Sequence, residues 1–205
     1  MKQVSPWAVV TILIFSLMGT GGGVAAEKRQ TAPREAARKA GRWAFAYQAF
    51  GNIPVNSRLR NSTKSGLGVG VRTGYGFGRG LSVEAEFQYD LLFEEGGSNE
   101  IRENKNLLSL APGLRYTVDF VSDMSGYLFG LAGATYDYTE NVTSTFSLNY
   151  AAGVGVDFGL TENLSIGPQV KYRHVIKDEH RKLNSKIDVQ YVSIGVAMTY
   201  LYDVS

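Results

Sequence analysis

The sequence predicts an all-β chain, folded as a single closed antiparallel up-and-down barrel of about eight strands that crosses a membrane. Three observations lead to this. From residue 42 onward the side chains alternate with a period of two, eight segments of membrane-spanning length can be drawn, and the connections between them alternate between short and long.

Composition narrows the alternatives. With 21 Lys and Arg against 19 Asp and Glu, the net charge of +2 provides no field that would recruit nucleic acid. The absence of cysteine excludes a disulfide framework, a thiolate metal site, a catalytic thiol and a lipid-modified N-terminal cysteine. Glycine (24), tyrosine (12) and phenylalanine (10) are abundant, and beyond the N-terminal region no run of roughly 18 apolar residues is long enough for a transmembrane helix. A membrane crossing must therefore use strands.

The first element is an export signal. Lys2 gives a basic start, Trp7 to Met18 an apolar core, and Val24-Ala25-Ala26 a small-residue cleavage site, so residues 1–26 are read as a signal peptide cut after Ala26. Gly19-Thr20-Gly21-Gly22-Gly23 breaks the apolar run before it can serve as an anchor helix. Residues 27–41 form a polar leader, mobile or a short helix, with Lys28, Arg29, Arg34, Arg38 and Lys39 and no apolar face to dock. The barrel is assigned to residues 42–202, followed by a tail at 203–205.

Strand segments are drawn at 42–50, 67–77, 81–91, 107–118, 127–138, 148–158, 164–175 and 189–202. The third is the clearest: Leu81, Val83, Ala85, Phe87, Tyr89 and Leu91 share one face, and Ser82, Glu84, Glu86, Gln88 and Asp90 share the other. The second sets Leu67, Val69, Val71, Tyr75 and Phe77 against glycines and Arg72. The fifth is ambiguous, since Tyr127, Phe129 and Leu131 compete with Leu128, Tyr136 and Tyr138 for the outward face, and a bulge or register shift is expected there.

A soluble barrel buries apolar side chains and exposes polar ones. Here the polar faces carry Arg72, Glu84, Glu86, Asp90, Arg115, Asp157, Lys171 and Arg173 among small residues. These eight are read as an ionic cluster filling a narrow lumen, with the apolar faces turned to lipid. A lipocalin-like carrier, the soluble rival, would have to bury those charges.

Short connections after the second and sixth segments and long ones after the first, third and seventh fit periplasmic turns and external loops. The turn after the fourth, 119–125, is longer than this pattern wants. With that topology, Trp43, Tyr75, Phe77, Tyr116, Tyr127, Phe158, Tyr200 and Tyr202 are expected to form a periplasmic aromatic girdle, and Tyr47, Phe87, Tyr89, Tyr150 and Tyr172 the opposite rim.

Over nearly all of 42–202 the chain resembles the small outer-membrane barrels of the OmpA transmembrane-domain and OmpX/Ail type. The most specific stretch is Val192-Ser193-Ile194-Gly195-Val196-Ala197-Met198-Thr199-Tyr200-Leu201-Tyr202, similar to the terminal strand signal that such proteins present to the barrel-assembly machinery. Tyr202 stands in for the usual terminal aromatic, with Asp203-Val204-Ser205 beyond it, and no peptidoglycan-binding domain is expected. The resemblance implies location in the cell outer membrane. It also implies contact with outer-membrane lipid and lipopolysaccharide.

The same resemblance class includes lipid A acyl hydrolases and transferases. The hydrolase pattern places a serine two positions after a histidine on one strand face. His174 is followed at that position by Ile176, which argues against the enzyme. His180 lies in the charged run Lys177-Asp178-Glu179-His180-Arg181-Lys182, read as solvated rather than metal-binding. Gly74-Tyr75-Gly76-Phe77-Gly78 leads into a strand, not a helix N-terminus, and is no phosphate loop. Eight strands enclose little beyond their own side chains, which weighs against a channel.

The functional expectation is a non-enzymatic, monomeric barrel without cofactor or metal. It would serve envelope integrity or surface contact, with Arg58, Arg60, Lys64, Lys177, Arg181, Lys182 and Lys186 in the loops available to lipopolysaccharide phosphates. The alternatives kept are a lipid A-modifying enzyme and a narrow channel.

Overall fold

The structure is a computed structural model that describes residues 41–55, 63–94, 105–121, 123–138, 145–176 and 188–202. Eight strands follow in chain order: β1 (Trp43–Pro54), β2 (Thr63–Gly78), β3 (Leu81–Glu94), β4 (Lys105–Val121), β5 (Met124–Asp137), β6 (Thr145–Gly159), β7 (Leu164–Ile176) and β8 (Val189–Tyr202). Each pairs antiparallel with its neighbours, and β1 pairs with β8 to close the barrel. No strand edge is left open, which is the condition for a sheet in a medium without hydrogen-bonding solvent.

Register defines the dimensions. Starting at Ala44 and stepping through successive partners Gly74, Glu84, Gly113, Leu131, Ala151, Arg173 and Tyr191 leads back to β1 at Pro54, ten residues further along. Eight strands with that stagger tilt by about 40° and enclose a backbone cylinder of roughly 8 Å radius. Such a lumen accommodates side chains and little else.

Strands run further than the sequence indicates. Gly51, Asn52 and Pro54 read as loop residues, yet β1 continues through them with Asn52 and Pro54 turned inward. The stretch 119–125 is not a long turn: β4 reaches Val121, β5 starts at Met124, and one register shift between Asp119 and Val121 absorbs the extra residue. That bulge lies in β4. The β4–β5 register itself keeps one phase from Leu107↔Asp137 to Asp119↔Ser125, so the shift anticipated within β5 is absent.

Two prolines interrupt ladders without changing register. Pro112 has no recorded partner on β5 and Pro168 none on β6, although each pairs on its other side. A ring nitrogen with no N–H cannot donate to the ladder, so each proline costs pairing on one side only. The β2–β3 connection is a two-residue turn in which Arg79 (φ 53°) and Gly80 (φ 81°) are both left-handed, the geometry of a type I′ hairpin. A Cβ on Gly80 would lie 2.1 Å from the Thr117 carbonyl oxygen, so this position has room for glycine alone.

Outside, the wall is apolar: Leu67, Val69, Val83, Phe87, Leu110, Leu114, Leu148 and Ile194 are all exposed. Inside, 23 polar or charged residues are buried among the described ones. This inversion of the soluble pattern runs around the whole barrel.

Candidate functional site

The candidate site is the lumen, which is filled in tiers. At the end where β1 begins, Ser82, Thr117, Ser125, Ser165 and Thr199 give it a hydroxyl lining. At the other end, Leu92, Leu107, Val175, Val189 and Tyr191 close together as an apolar cluster, each at most 1% exposed.

Between them sit the eight charges identified from the sequence, four cationic and four anionic, all buried. Alternation puts them there: Glu84, Glu86 and Asp90 share one face of β3, Lys171 and Arg173 one face of β7. Glu86 is the hub. Its Oε1 accepts from Lys171 Nζ at 2.8 Å and from Arg173, and its Oε2 lies 3.7 Å from Arg72 Nε. Arg72 reaches Glu84 at 3.1 Å and donates to Gln169 at 2.8 Å. Arg115 pairs with Asp157 and approaches Glu84 at 3.6 Å.

Among the described residues, no arginine or lysine lies within salt-bridge range of Asp90. It accepts from Asn52 Nδ2 and from Tyr191 Oη, both at 2.7 Å, and from Gln88 Nε2 at 2.6 Å. Charge-assisted hydrogen bonds from neutral donors thus replace an ion pair. Asp137, also buried, faces inward near the apolar end of β5.

Sequence reasoning missed the neutral and aromatic members of this network. Gln48, Asn52, Gln169 and Tyr191 carry no signal beyond their parity, and their roles depend on partners on other strands. Arg115 lies over the Tyr127 ring at 3.6 Å, Arg72 over Phe129 at 4.5 Å and Lys171 over Phe50 at 4.3 Å, so three of the four cations rest on aromatic faces.

Tyr127 is therefore not part of the aromatic girdle. It is 5% exposed and points inward, where Arg115 covers it and Gly155 clears space for it. The other seven girdle residues face outward at the end where β1 starts. Trp43, Phe77, Tyr116, Phe158, Tyr200 and Tyr202 are exposed, and Tyr75 packs between Trp43 and Phe77 at centroid distances of 5.5 Å. At the opposite rim, Tyr89, Tyr138 and Tyr136 stack in series and Phe146 packs tilted against Tyr136, with Tyr89 donating to Asn106 at 2.7 Å. Tyr47 and Phe87 both pair with Val71 and lie on the middle of the wall, not at a rim.

Of the loop cations, Arg58, Arg60, Lys177, Arg181, Lys182 and Lys186 lie outside the described residues, as does His180. Lys64 belongs to strand β2. His174 faces outward near the end of β7, hydrogen-bonded to Tyr150, and Ile176 beside it on that face is exposed.

A closed eight-stranded barrel with an apolar exterior and a charged, filled interior is a transmembrane β-barrel. A family model for the outer membrane protein beta-barrel domain matches residues 21–199, and the chain belongs to that family, located in the outer membrane of Gram-negative bacteria. Among solved structures it is similar to Neisserial surface protein A, at 16% identity over 80% of this chain and 98% of that one, with a TM-score of 0.58. It is also similar to the outer membrane protein OprG from Pseudomonas aeruginosa, at 14% identity over 81% and 98%, with a TM-score of 0.52. A third likeness is to Ail, the attachment invasion locus protein of Yersinia pestis, at 18% identity over 80% and 99%, with a TM-score of 0.49. No curated protein matches the chain.

Proposed function

We propose that the protein is a non-enzymatic, non-conducting scaffold of the outer membrane that supports envelope integrity and meets lipopolysaccharide through its outer rim. The observation that carries this reading is the filled lumen. Eight charged side chains are buried in it beneath an apolar cluster whose members are each at most 1% exposed, a packing that supports a lumen closed to water and to substrate. The working surfaces are then the rims and loops. The basic residues that the sequence assigns to the loops, Arg58, Arg60, Lys177, Arg181, Lys182 and Lys186, together with Lys64 at the start of β2, suit lipid phosphates.

In this reading the signal peptide is removed after Ala26, the barrel-assembly machinery inserts the chain through its last strand, and the protein acts as a monomer. Surface attachment is the second reading, favoured by the stacked aromatics at the outer rim. The test is a deletion strain challenged with detergent, bile salts and serum, with the purified barrel examined in planar bilayers. Raised permeability of the strain, together with no sustained conductance of the barrel, is expected. An intact permeability barrier with defective adhesion would move the function to attachment, and porin-like conductance would refute the closed lumen.

A further inference from the structure

We propose that the outward face of β7 and β8, at the rim near the long loops, holds a binding site for a first-row divalent cation of the zinc type. The donors are His174 Nε2, Asp188 Oδ2 and the side-chain oxygen of Gln190, with a fourth position open to solvent. Sheet geometry brings the three together. Asp188 and Gln190 are two apart and share a face, and His174 is the cross-strand partner of Gln190.

His174 Nε2 lies 3.3 Å from Asp188 Oδ2 and 3.4 Å from the Gln190 amide group. With the amide nitrogen in that place, the imidazole atom would have to donate to the carboxylate and accept from the amide at once, which a single ring nitrogen cannot do. Turning the amide end for end presents its oxygen, and one nitrogen then faces two oxygens. A tetrahedral ion with bonds of roughly 2.0–2.1 Å holds its donors about 3.4 Å apart, and both separations from His174 Nε2 match that spacing.

The other ring nitrogen is oriented as well. Nδ1 is hydrogen-bonded to Tyr150 Oη, and the Tyr150 ring packs edge-on against the imidazole at 4.9 Å. With a cation on Nε2, Nδ1–H donates to the phenol oxygen, the outer contact that fixes tautomer and ring angle in histidine-ligated sites. The side chains of His174 and Asp188 are 14% and 40% exposed, and Asp188 stands just beyond the end of β8, at the rim. One imidazole with two oxygens prefers Zn²⁺ or Cu²⁺ over Mg²⁺ and Ca²⁺.

The test uses protein purified from outer membranes in detergent without a polyhistidine tag, with Co²⁺ binding followed by its visible absorption and Zn²⁺ binding by calorimetry. Each variant is first shown to be folded by its heat-dependent gel mobility. Expected are one site per chain with a tetrahedral cobalt spectrum, its loss in His174→Ala and its retention in His180→Ala. Weakening by roughly 10- to 100-fold is expected in Gln190→Leu and Tyr150→Phe. Absence of any binding tighter than that of His174→Ala, or loss in His180→Ala as well, overturns this donor set.

Discussion

Strands β3 and β5 stand on opposite sides of the same design rule. β3 turns Glu84, Glu86, Gln88 and Asp90 inward and Leu81, Val83, Phe87 and Tyr89 outward, a plain separation of charge from hydrocarbon. β5 does the reverse with size: Tyr127, Phe129 and Leu131 point inward, while past Leu128 the outward face is small, with Gly130, Ala132 and Ala134 toward lipid. The two strands are complementary. Carboxylates of β3 draw the guanidiniums of Arg72 and Arg115 into the lumen, and the rings of β5 supply the faces on which those guanidiniums lie. A buried arginine needs both an anion on its edge and a weakly competing surface against its plane, and the barrel takes each from a different strand.

Changes on the two strands test this division. The largest effect is expected at Glu86, whose replacement by glutamine leaves Lys171 and Arg173 without their shared carboxylate. The loss in unfolding free energy, read from urea titrations in lipid vesicles, is expected to be about 3–5 kcal/mol. Glu86→Gln combined with Lys171→Met restores charge balance and is expected to cost less than the first change alone. Equal or greater damage in the pair would mean that the network acts by shape and not by charge.

Next in size is Phe129→Ala on β5, a cavity beneath Arg72 worth about 3 kcal/mol, detected in the same titration. Its counterpart is Gly153→Val on β6. There a Cβ would stand 2.6 Å from both the Phe129 ring and the Val170 carbonyl oxygen, so about 1–3 kcal/mol of overpacking is expected. A neutral result at Gly153 would show that β5 can turn its ring elsewhere.

The smallest effects belong to the lipid-facing positions. Val83→Leu on β3 and Ala132→Leu on β5 are each expected to stay within about 0.5 kcal/mol, because neither touches the lumen. A large loss at Ala132 alone would mean that the small outer surface of β5 has a packing partner.

The fold itself was legible in the sequence because a barrel in lipid needs contrast between its two faces, and seven of the eight strands display it in their residue types. Parity alone located the eight lumen charges, since a side chain on a strand has only two directions available. Parity could not decide β5, where the one charge, Asp137, stands at the end of the strand and the choice lay between two apolar faces. That orientation is decided by groups distant in sequence: Arg72 and Arg115, which need ring faces, and Gly153 and Gly155, which leave room for them. Tyr127 was misplaced for the same reason. Strand order alone set Arg72 and Arg115 beside the carboxylates of β3, with Lys171 and Arg173 facing them across the barrel, but that both cations of β7 converge on Glu86 while Asp90 takes neutral donors depends on the ten-residue stagger, and that stagger exists only once β8 has closed on β1. Local alternation thus determined what faces inward, and closure of the sheet decided what each inward group meets.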